Sequence, residues 1–234
     1  MKKTLTLILM MLGAAVFAAD GGFDVKNIRL FTRFTPVVKY VNESVRSKSS
    51  KETLWLCMEA TFVPEARGSE EDQWYDDVTM EGMLVIARQG KELTYIVLTG
   101  KTRFFTIHAD AKNHSGVFFV PSKILQRYLG TWGGTLPSVQ MARISFYAPG
   151  KILLGEGFWA QGSGKKGRFV PLNSKDYNAV AARMKEYEKN YRNIITLRGG
   201  LYSKEKTPWS YVDYDFYDLI YDNVLQQDSD SIKK

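Results

Sequence analysis

Few side chains in this sequence are suited to nucleophilic or metal chemistry. The 234 residues include one cysteine, Cys57, and two histidines, His108 and His114. With Asp110 and Asn113 between them, the histidines could contribute metal ligands, but a zinc site needs three or four ligands held rigidly together. Cys57 lies in an apolar run with no histidine close in sequence, which favours a buried structural thiol over a nucleophile. We expect both histidines to be loop residues without a catalytic role.

Residues 65–77 form an acidic segment, whose carboxylates are Glu65, Glu70, Glu71, Asp72, Asp76 and Asp77. Calcium prefers such oxygen ligands, but the spacing and turn glycine of an EF-hand are missing. Glycosidases place two carboxylates across a cleft rather than in one loop. We therefore expect a solvated acidic loop, with calcium binding as the alternative. A hydrolase would need a pair that the fold brings together, such as Glu59 or Glu81 with Glu156.

Residues 162–168 (GSGKKGR) combine glycines with three cations and are suited to contact an anion. They do not fit the Gly-x4-Gly-Lys-Ser/Thr pattern of a phosphate-binding loop, and both flanks look like strands. A solvated hairpin loop is the expected structure, and a peripheral contact to glycan sulfate or lipid phosphate is the alternative.

Five tryptophans allow carbohydrate stacking. Trp74 and Trp132 lie in predicted loops and are the exposed candidates, whereas Trp55 and Trp159 lie in predicted strands and are expected in the core. No Gly-x-Ser-x-Gly nucleophile elbow occurs in the sequence. We predict no catalytic, cofactor-binding or metal-ligating residue and therefore no enzyme.

The N-terminus has the pattern of an export signal. Lys2 and Lys3 precede an apolar run (residues 5–12), and small residues follow. We place cleavage after Ala18, with the bond after Ala19 as the alternative. The apolar stretch is shorter than the ~20 residues that span a bilayer, so a membrane anchor is the weaker alternative. We expect residues 1–18 to be a signal peptide and the mature protein to be periplasmic, outer-membrane-associated or secreted.

The charge is unevenly distributed along the chain. Residues 19–206 carry 28 basic and 19 acidic side chains, whereas residues 207–234 carry six aspartates and two lysines. A basic body can attract acidic glycans or the surface of a membrane. Export argues against nucleic acid as a partner.

The body is predicted to be β-rich. Residues 27–34 alternate, with Ile28, Leu30 and Phe34 on one face. Similar runs are residues 54–63, 78–88, 93–99, 103–108, 117–120, 139–147 and 152–159. Turn signals between short strands favour two packed antiparallel sheets. We predict an immunoglobulin-like antiparallel β-sandwich over residues 19–206, with two or three accessory helices and a hairpin turn at residues 148–150.

Helical spacing occurs in three segments. The first, residues 122–129, has Ser122 as its expected cap and Gly130 as its end. The second runs to about residue 193 after a cap at Asn173 and Asp176, with an apolar stripe of Tyr177, Val180, Met184, Tyr187 and Tyr191.

The third helix is predicted over residues 207–226, starting at Thr207 and Pro208, with residues beyond it disordered. Its apolar face would dock on the sandwich through Val212, Phe216, Leu219, Ile220 and Val224. The rival idea is a tail donated to another subunit.

The mature chain resembles an exported pilus-like protein family of mucin-degrading gut bacteria. The resemblance rests on runs such as FDVKNIRLFTRFTP, LWLCMEATFVPE and ISFYAPGKILLGEGFW. It implies an immunoglobulin-like fold, no catalytic residues and genes beside those for type IV pilus-like assembly components. The short apolar segment differs from the long retained helix of type IV pilins and suggests an accessory protein. We therefore expect a binding or assembly protein whose partners are envelope or pilus-apparatus proteins, with a secreted glycan-binding module as the alternative.

Overall fold

A computed structural model describes residues 22–35, 54–66, 73–88, 90–130, 137–161, 167–189 and 193–210. The strands are β1 (Phe23–Phe34), β2 (Leu54–Pro64), β3 (Trp74–Arg88), β4 (Thr94–His108), β5 (His114–Val120), β6 (Val139–Ala148), β7 (Ile152–Gln161), β8 (Gly167–Pro171), β9 (Ile194–Arg198) and β10 (Tyr202–Ser203). The helices are α1 (Ser122–Leu129) and α2 (Tyr177–Glu188), and short 3-10 turns span Pro149–Lys151 and Lys204–Lys206.

The strands form two sheets. A four-stranded sheet has the order β1-β2-β5-β10, and a six-stranded sheet has the order β8-β7-β6-β3-β4-β9. The pairs are antiparallel apart from β4 and β9, which run parallel. The mainly β sandwich predicted from strand alternation is confirmed, and the parallel edge strand β9 is an addition that the sequence did not indicate.

The main core lies between the sheets. Alternate residues of β2 point into it, including Leu56, Met58 and Phe62, and all three are fully buried. The six-stranded sheet contributes Phe104 and Phe146 from the other side. Every second residue of β2 enters the main core, which is the reason why the sequence alternation predicted this strand correctly.

The two strands predicted at residues 93–99 and 103–108 are one continuous strand, β4. Gly100, which lies between the two predicted strands, is directly opposite Gly82 of β3. A Cβ atom at Gly100 would lie 2.3 Å from the carbonyl oxygen of Leu201. The glycine therefore lets the chain after β9 cross close to the sheet, rather than ending the strand.

The hairpin predicted at residues 148–150 is present, and β6 pairs with β7 across it. Residues 162–166 lie outside the described part of the chain, but the strands β7 and β8 on either side pair as an antiparallel hairpin. The segments on either side of residues 162–166 are therefore strands, as predicted.

Both helices are present, with corrected ends. The Ser122 hydroxyl does not cap α1; it accepts a hydrogen bond from the Gln126 amide at 3.4 Å instead. Gly130 ends α1 with a φ of 87° and an N–H bonded to the Gln126 carbonyl, as predicted. Asp176 likewise makes no side-chain cap on α2, because its carboxylate bonds to Arg168.

Helix α2 ends at Glu188, five residues before the predicted end, because the chain must turn into β9. Its apolar stripe packs on the outer face of the six-stranded sheet, with Val180 and Met184 buried in a second core cluster. Among the described residues, no helix is long and apolar enough to cross a membrane. Of the third predicted helix, residues 207–226, only residues 207–210 are described, and they form a bend and turn. Its remainder and the predicted signal peptide, residues 1–18, lie outside the described residues.

Candidate functional site

The outer face of the four-stranded sheet carries an aromatic cluster, which we call the aromatic face. Its members are Phe31, Trp55, Phe119, Tyr202 and Trp209. The rings of Phe119 and Trp209 stack with centroids 4.6 Å apart, and Trp55 meets Trp209 edge-on at 5.2 Å. Trp209, six residues after the end of β10, thus covers this sheet.

The alternation of β2 builds the aromatic face. Trp55 and Cys57 point outwards because Leu54, Leu56 and Met58 point into the main core. Burial raises the pKa of the Cys57 thiol to about 12. A neutral, buried thiol is a poor nucleophile, in agreement with the structural role expected from the sequence.

Cations flank the aromatic face along the edge strand β1. The guanidinium carbons of Arg29 and Arg33 lie 4.9 Å and 5.8 Å from the ring centroid of Phe31. Arg29 also donates to both carboxylate oxygens of Glu59 at 3.1 Å. This pairing places Glu59 on the four-stranded sheet, away from Glu81 and Glu156 on the six-stranded sheet.

A second candidate site, which we call the basic groove, has a volume of about 680 Å³. It lies where the six-stranded sheet meets the segment that crosses from β9 to β10. Its charged lining residues are Glu81, Lys101, Arg143, Arg198 and Lys206. Because they come from β3, β4, β6, β9 and the turn after β10, no local sequence motif could have revealed this cluster.

Two of the four groove cations have acidic partners. Lys101 forms an ion pair with Glu81 on the neighbouring strand, and Arg143 bonds to Glu188 of α2 at 2.8 Å. Arg198 and Lys206 form no ion pair within the described part of the chain. With four cations and one carboxylate, the described lining of the groove carries a net positive charge, which favours an anionic ligand.

Glu81 and Glu156, the carboxylates considered for a hydrolase, do lie in one row across β3, β6 and β7, with Ser145 between them. Glu156 accepts hydrogen bonds from Ser145 Oγ and from the Tyr177 hydroxyl, both at 2.6 Å. Burial, followed by the contact with Glu156, raises the pKa of Tyr177 well above its usual range. Glu156 thus anchors α2 on the sheet and is not a lining residue of the groove.

The histidines identified in the sequence are strand residues rather than loop residues: His108 ends β4 and His114 begins β5. Both lie beside Asp110 in the turn between these strands. His114 Nε2 lies 3.0 Å from one Asp110 oxygen, and His108 Nδ1 lies 3.9 Å from the other. Partial burial raises the pKa of Asp110, but hydrogen bonds from His114 and Lys112 outweigh it and hold the pKa at about 2. Within the described ranges, no group of three or more His, Cys, Asp or Glu side chains could hold a metal ion.

The positions of the tryptophans differ in part from the sequence prediction. Trp74 lies at the start of β3 rather than in a loop, is 52% exposed, and stacks on His108 at 4.4 Å. Trp55 and Trp159 are partly buried and pack against core clusters. Trp132 lies outside the described residues. Trp209, for which the sequence suggests no role, is only 3% exposed.

Comparison with known proteins agrees with the fold. A crystal structure of a protein from Akkermansia muciniphila matches with a TM-score of 0.64 and 16% sequence identity, over 86% of this chain and 94% of that chain. At this identity the likeness shows the fold alone. No curated protein matches the chain. A protein-family model matches residues 14–224, and the chain belongs to the family that this model describes.

Proposed function

We propose that this chain is an exported, non-enzymatic binding or assembly protein of the cell envelope that works with a type IV pilus-like apparatus. The N-terminal pattern of residues 1–18 and the resemblance to exported pilus-like proteins support this proposal. Its location would be periplasmic, outer-membrane-associated or secreted. Its partners would be other envelope or apparatus proteins.

The edge strand β1 is the observation that carries the proposal. It has 12 residues and pairs with β2 on one side, and no described strand pairs with its other edge. Its first residues lie against β7, where a Cβ at Gly155 would be 2.0 Å from the Phe23 carbonyl oxygen. In the described part of the chain, residues 28–34 therefore have no strand on this edge, and Phe34 is 56% exposed there.

An open edge of this length is suited to receive a strand from another protein. Main-chain hydrogen bonds would supply affinity, and side chains beside the strand would supply specificity. Phe31 and Phe34, with Arg29 and Arg33 between and beside them, offer apolar and cationic contacts to such a strand. An acidic, apolar partner segment fits this edge best.

Site-specific photo-crosslinking in envelope fractions tests the proposal. A photoreactive phenylalanine replaces Phe34 in one variant and Leu172 in the control, because both side chains are 56% exposed. We expect components of the pilus-like apparatus, identified by mass spectrometry, to be captured at Phe34 and not at Leu172. Recovery of no envelope protein above background at Phe34 would overturn the proposal.

A second candidate is a secreted glycan-binding module. The stacked pair of Trp74 and His108 favours it, because an exposed planar ring can pack on the apolar face of a sugar. A glycan array with mucin-type and sulfated sugars, read with Trp74→Ala, tests it. Loss of a saturable signal in the variant supports this function, and no binding at millimolar glycan contradicts it.

A further inference from the structure

We propose that the basic groove binds an anionic oligosaccharide that carries sulfate or carboxylate groups. The inference rests on the second of the two proposed functions, glycan binding, and it names a ligand class and a place other than Trp74. It is independent of the edge strand β1, which lies on the other sheet.

The strand register places the groove cations. Arg143 of β6, Met83 of β3, Thr99 of β4 and Arg198 of β9 lie side by side in one row across four neighbouring strands. Three strand spacings separate the ends of this row, so the Cα atoms of the two arginines lie about 14 Å apart. The row is thus longer than one sugar unit.

The available charge lies at one end of this row. Arg198 and Lys206 are both exposed, line the groove and have no acidic partner among the described residues. Arg143 and Lys101, by contrast, already bond to Glu188 and Glu81. A sulfate or carboxylate can accept paired hydrogen bonds from the Arg198 guanidinium, with Lys206 adding a second cation.

The dimensions and lining favour an oligosaccharide over a single ion. The volume of about 680 Å³ lies in the range of sites that enclose whole organic ligands. Other residues that line the same space are polar, such as Thr99, or apolar, such as Leu201. Polar groups and apolar surface together match the two faces of a sugar ring.

Calorimetric titration of the full chain tests the proposal, with a heparin-derived tetrasaccharide as the probe and uncharged maltotetraose as its control. The double variant Arg198→Ala/Lys206→Ala removes the available charge. The matched control Lys123→Ala/Lys175→Ala changes net charge equally at exposed positions that do not line the groove. We expect the groove variant to bind the tetrasaccharide about tenfold or more weakly, because charge-assisted hydrogen bonds are lost. The control should bind like the wild type.

A variant that is expected to tighten binding, rather than weaken it, gives a second test. Glu81→Gln removes the acidic side chain from the groove and frees Lys101, so it should tighten binding by about two- to threefold. Equal loss in both double variants would mean non-specific charge attraction and would overturn the proposal. Binding to vesicles of anionic phospholipid, without binding to the tetrasaccharide, would overturn it as well.

The failure of the groove can be distinguished from the failure of glycan binding. If Trp74→Ala abolishes binding and the groove variant does not, glycan binding stands and the groove is not the site. If no charged or neutral sugar binds at millimolar concentration, both proposals fail.

Discussion

The indole of Trp209 lies nearly parallel to the ring of Phe119, with an interplanar angle of 12° and centroids 4.6 Å apart. Phe119 belongs to β5, and Trp209 follows the end of β10 by six residues. The Thr207 hydroxyl accepts a hydrogen bond from the backbone N–H of Trp209 at 3.2 Å. This bond stabilises the turn that places the indole on Phe119. The end of the described chain is therefore part of the fold and covers the outer face of the four-stranded sheet.

Trp209→Ala should destabilise the protein strongly. Removing a buried aromatic side chain costs about 3 kcal/mol, which lowers the Tm of a domain of this size by roughly 6–12 °C. Trp74→Ala is the matched control, because Trp74 is 52% exposed and Trp209 only 3%. Thermal unfolding followed by circular dichroism measures both variants. Equal Tm values for them would contradict the packing role of Trp209.

Two truncations separate the roles of Trp209 and of the segment after it. A chain ending at Ser210 keeps the stacked indole, and a chain ending at Lys206 removes it. If residues 211–226 dock on the sandwich as predicted, the first truncation should already lower the Tm of the monomer, and the second should lower it further. An unchanged Tm for the chain ending at Ser210, together with lost assembly, would instead favour a tail donated to another subunit.

Tyr177→Phe should loosen α2 from the six-stranded sheet. The variant removes the hydrogen bond to Glu156 and leaves that half-buried carboxylate with one fewer donor. We expect a loss of about 1–2 kcal/mol in urea unfolding. Tyr128→Phe is the control, because its hydroxyl has no hydrogen-bond partner in the described part of the chain. Equal effects in both variants would contradict an anchoring role.

Asp110 should make stability depend on pH in the acid range. Its folded pKa is about 2, below the ordinary value of 3.8, so its carboxylate stabilises the fold above pH 4. That contribution is lost as the pH falls from about 4 to 2. The effect should be at most about 1 kcal/mol, because the turn is at the surface.

Urea unfolding at pH 5 and at pH 2.5 measures this dependence, and Asp110→Asn should flatten it. Asp76→Asn, an exposed carboxyl on β3, is a control of equal charge. A pH dependence in Asp110→Asn as steep as that of the wild type would argue against the turn as its source.

Several elements followed from local pattern. The alternation of residues 54–63 predicted β2, and the turn residues at 148–150 predicted the β6–β7 hairpin. The three- and four-residue spacing after Tyr177 predicted α2 and its buried stripe. Such patterns work because burial on one face imposes a period of two in a strand and 3.6 in a helix.

Local sequence pattern did not predict the features whose cause lies far away in the chain. Gly100 looked like a strand break, yet it is the point where Leu201 crosses the sheet. Residues 194–198 form a strand because β4 offers an edge for parallel pairing, and they lie nearly a hundred residues later in the sequence. Helix α2 ends before its predicted end because the chain must turn into β9.

The sequence by itself determined the β-rich class, the positions of most strands, the inert character of Cys57 and the uneven charge along the chain. These properties depend on residue type and near-neighbour spacing, which the chain carries directly. Only the tertiary structure decided that Trp209 covers the four-stranded sheet, that Glu156 anchors α2, and that Arg198 and Lys206 share a groove. Sheet register and chain crossing bring such residues together from distant segments, because non-local pairing sets their distances and sequence spacing does not.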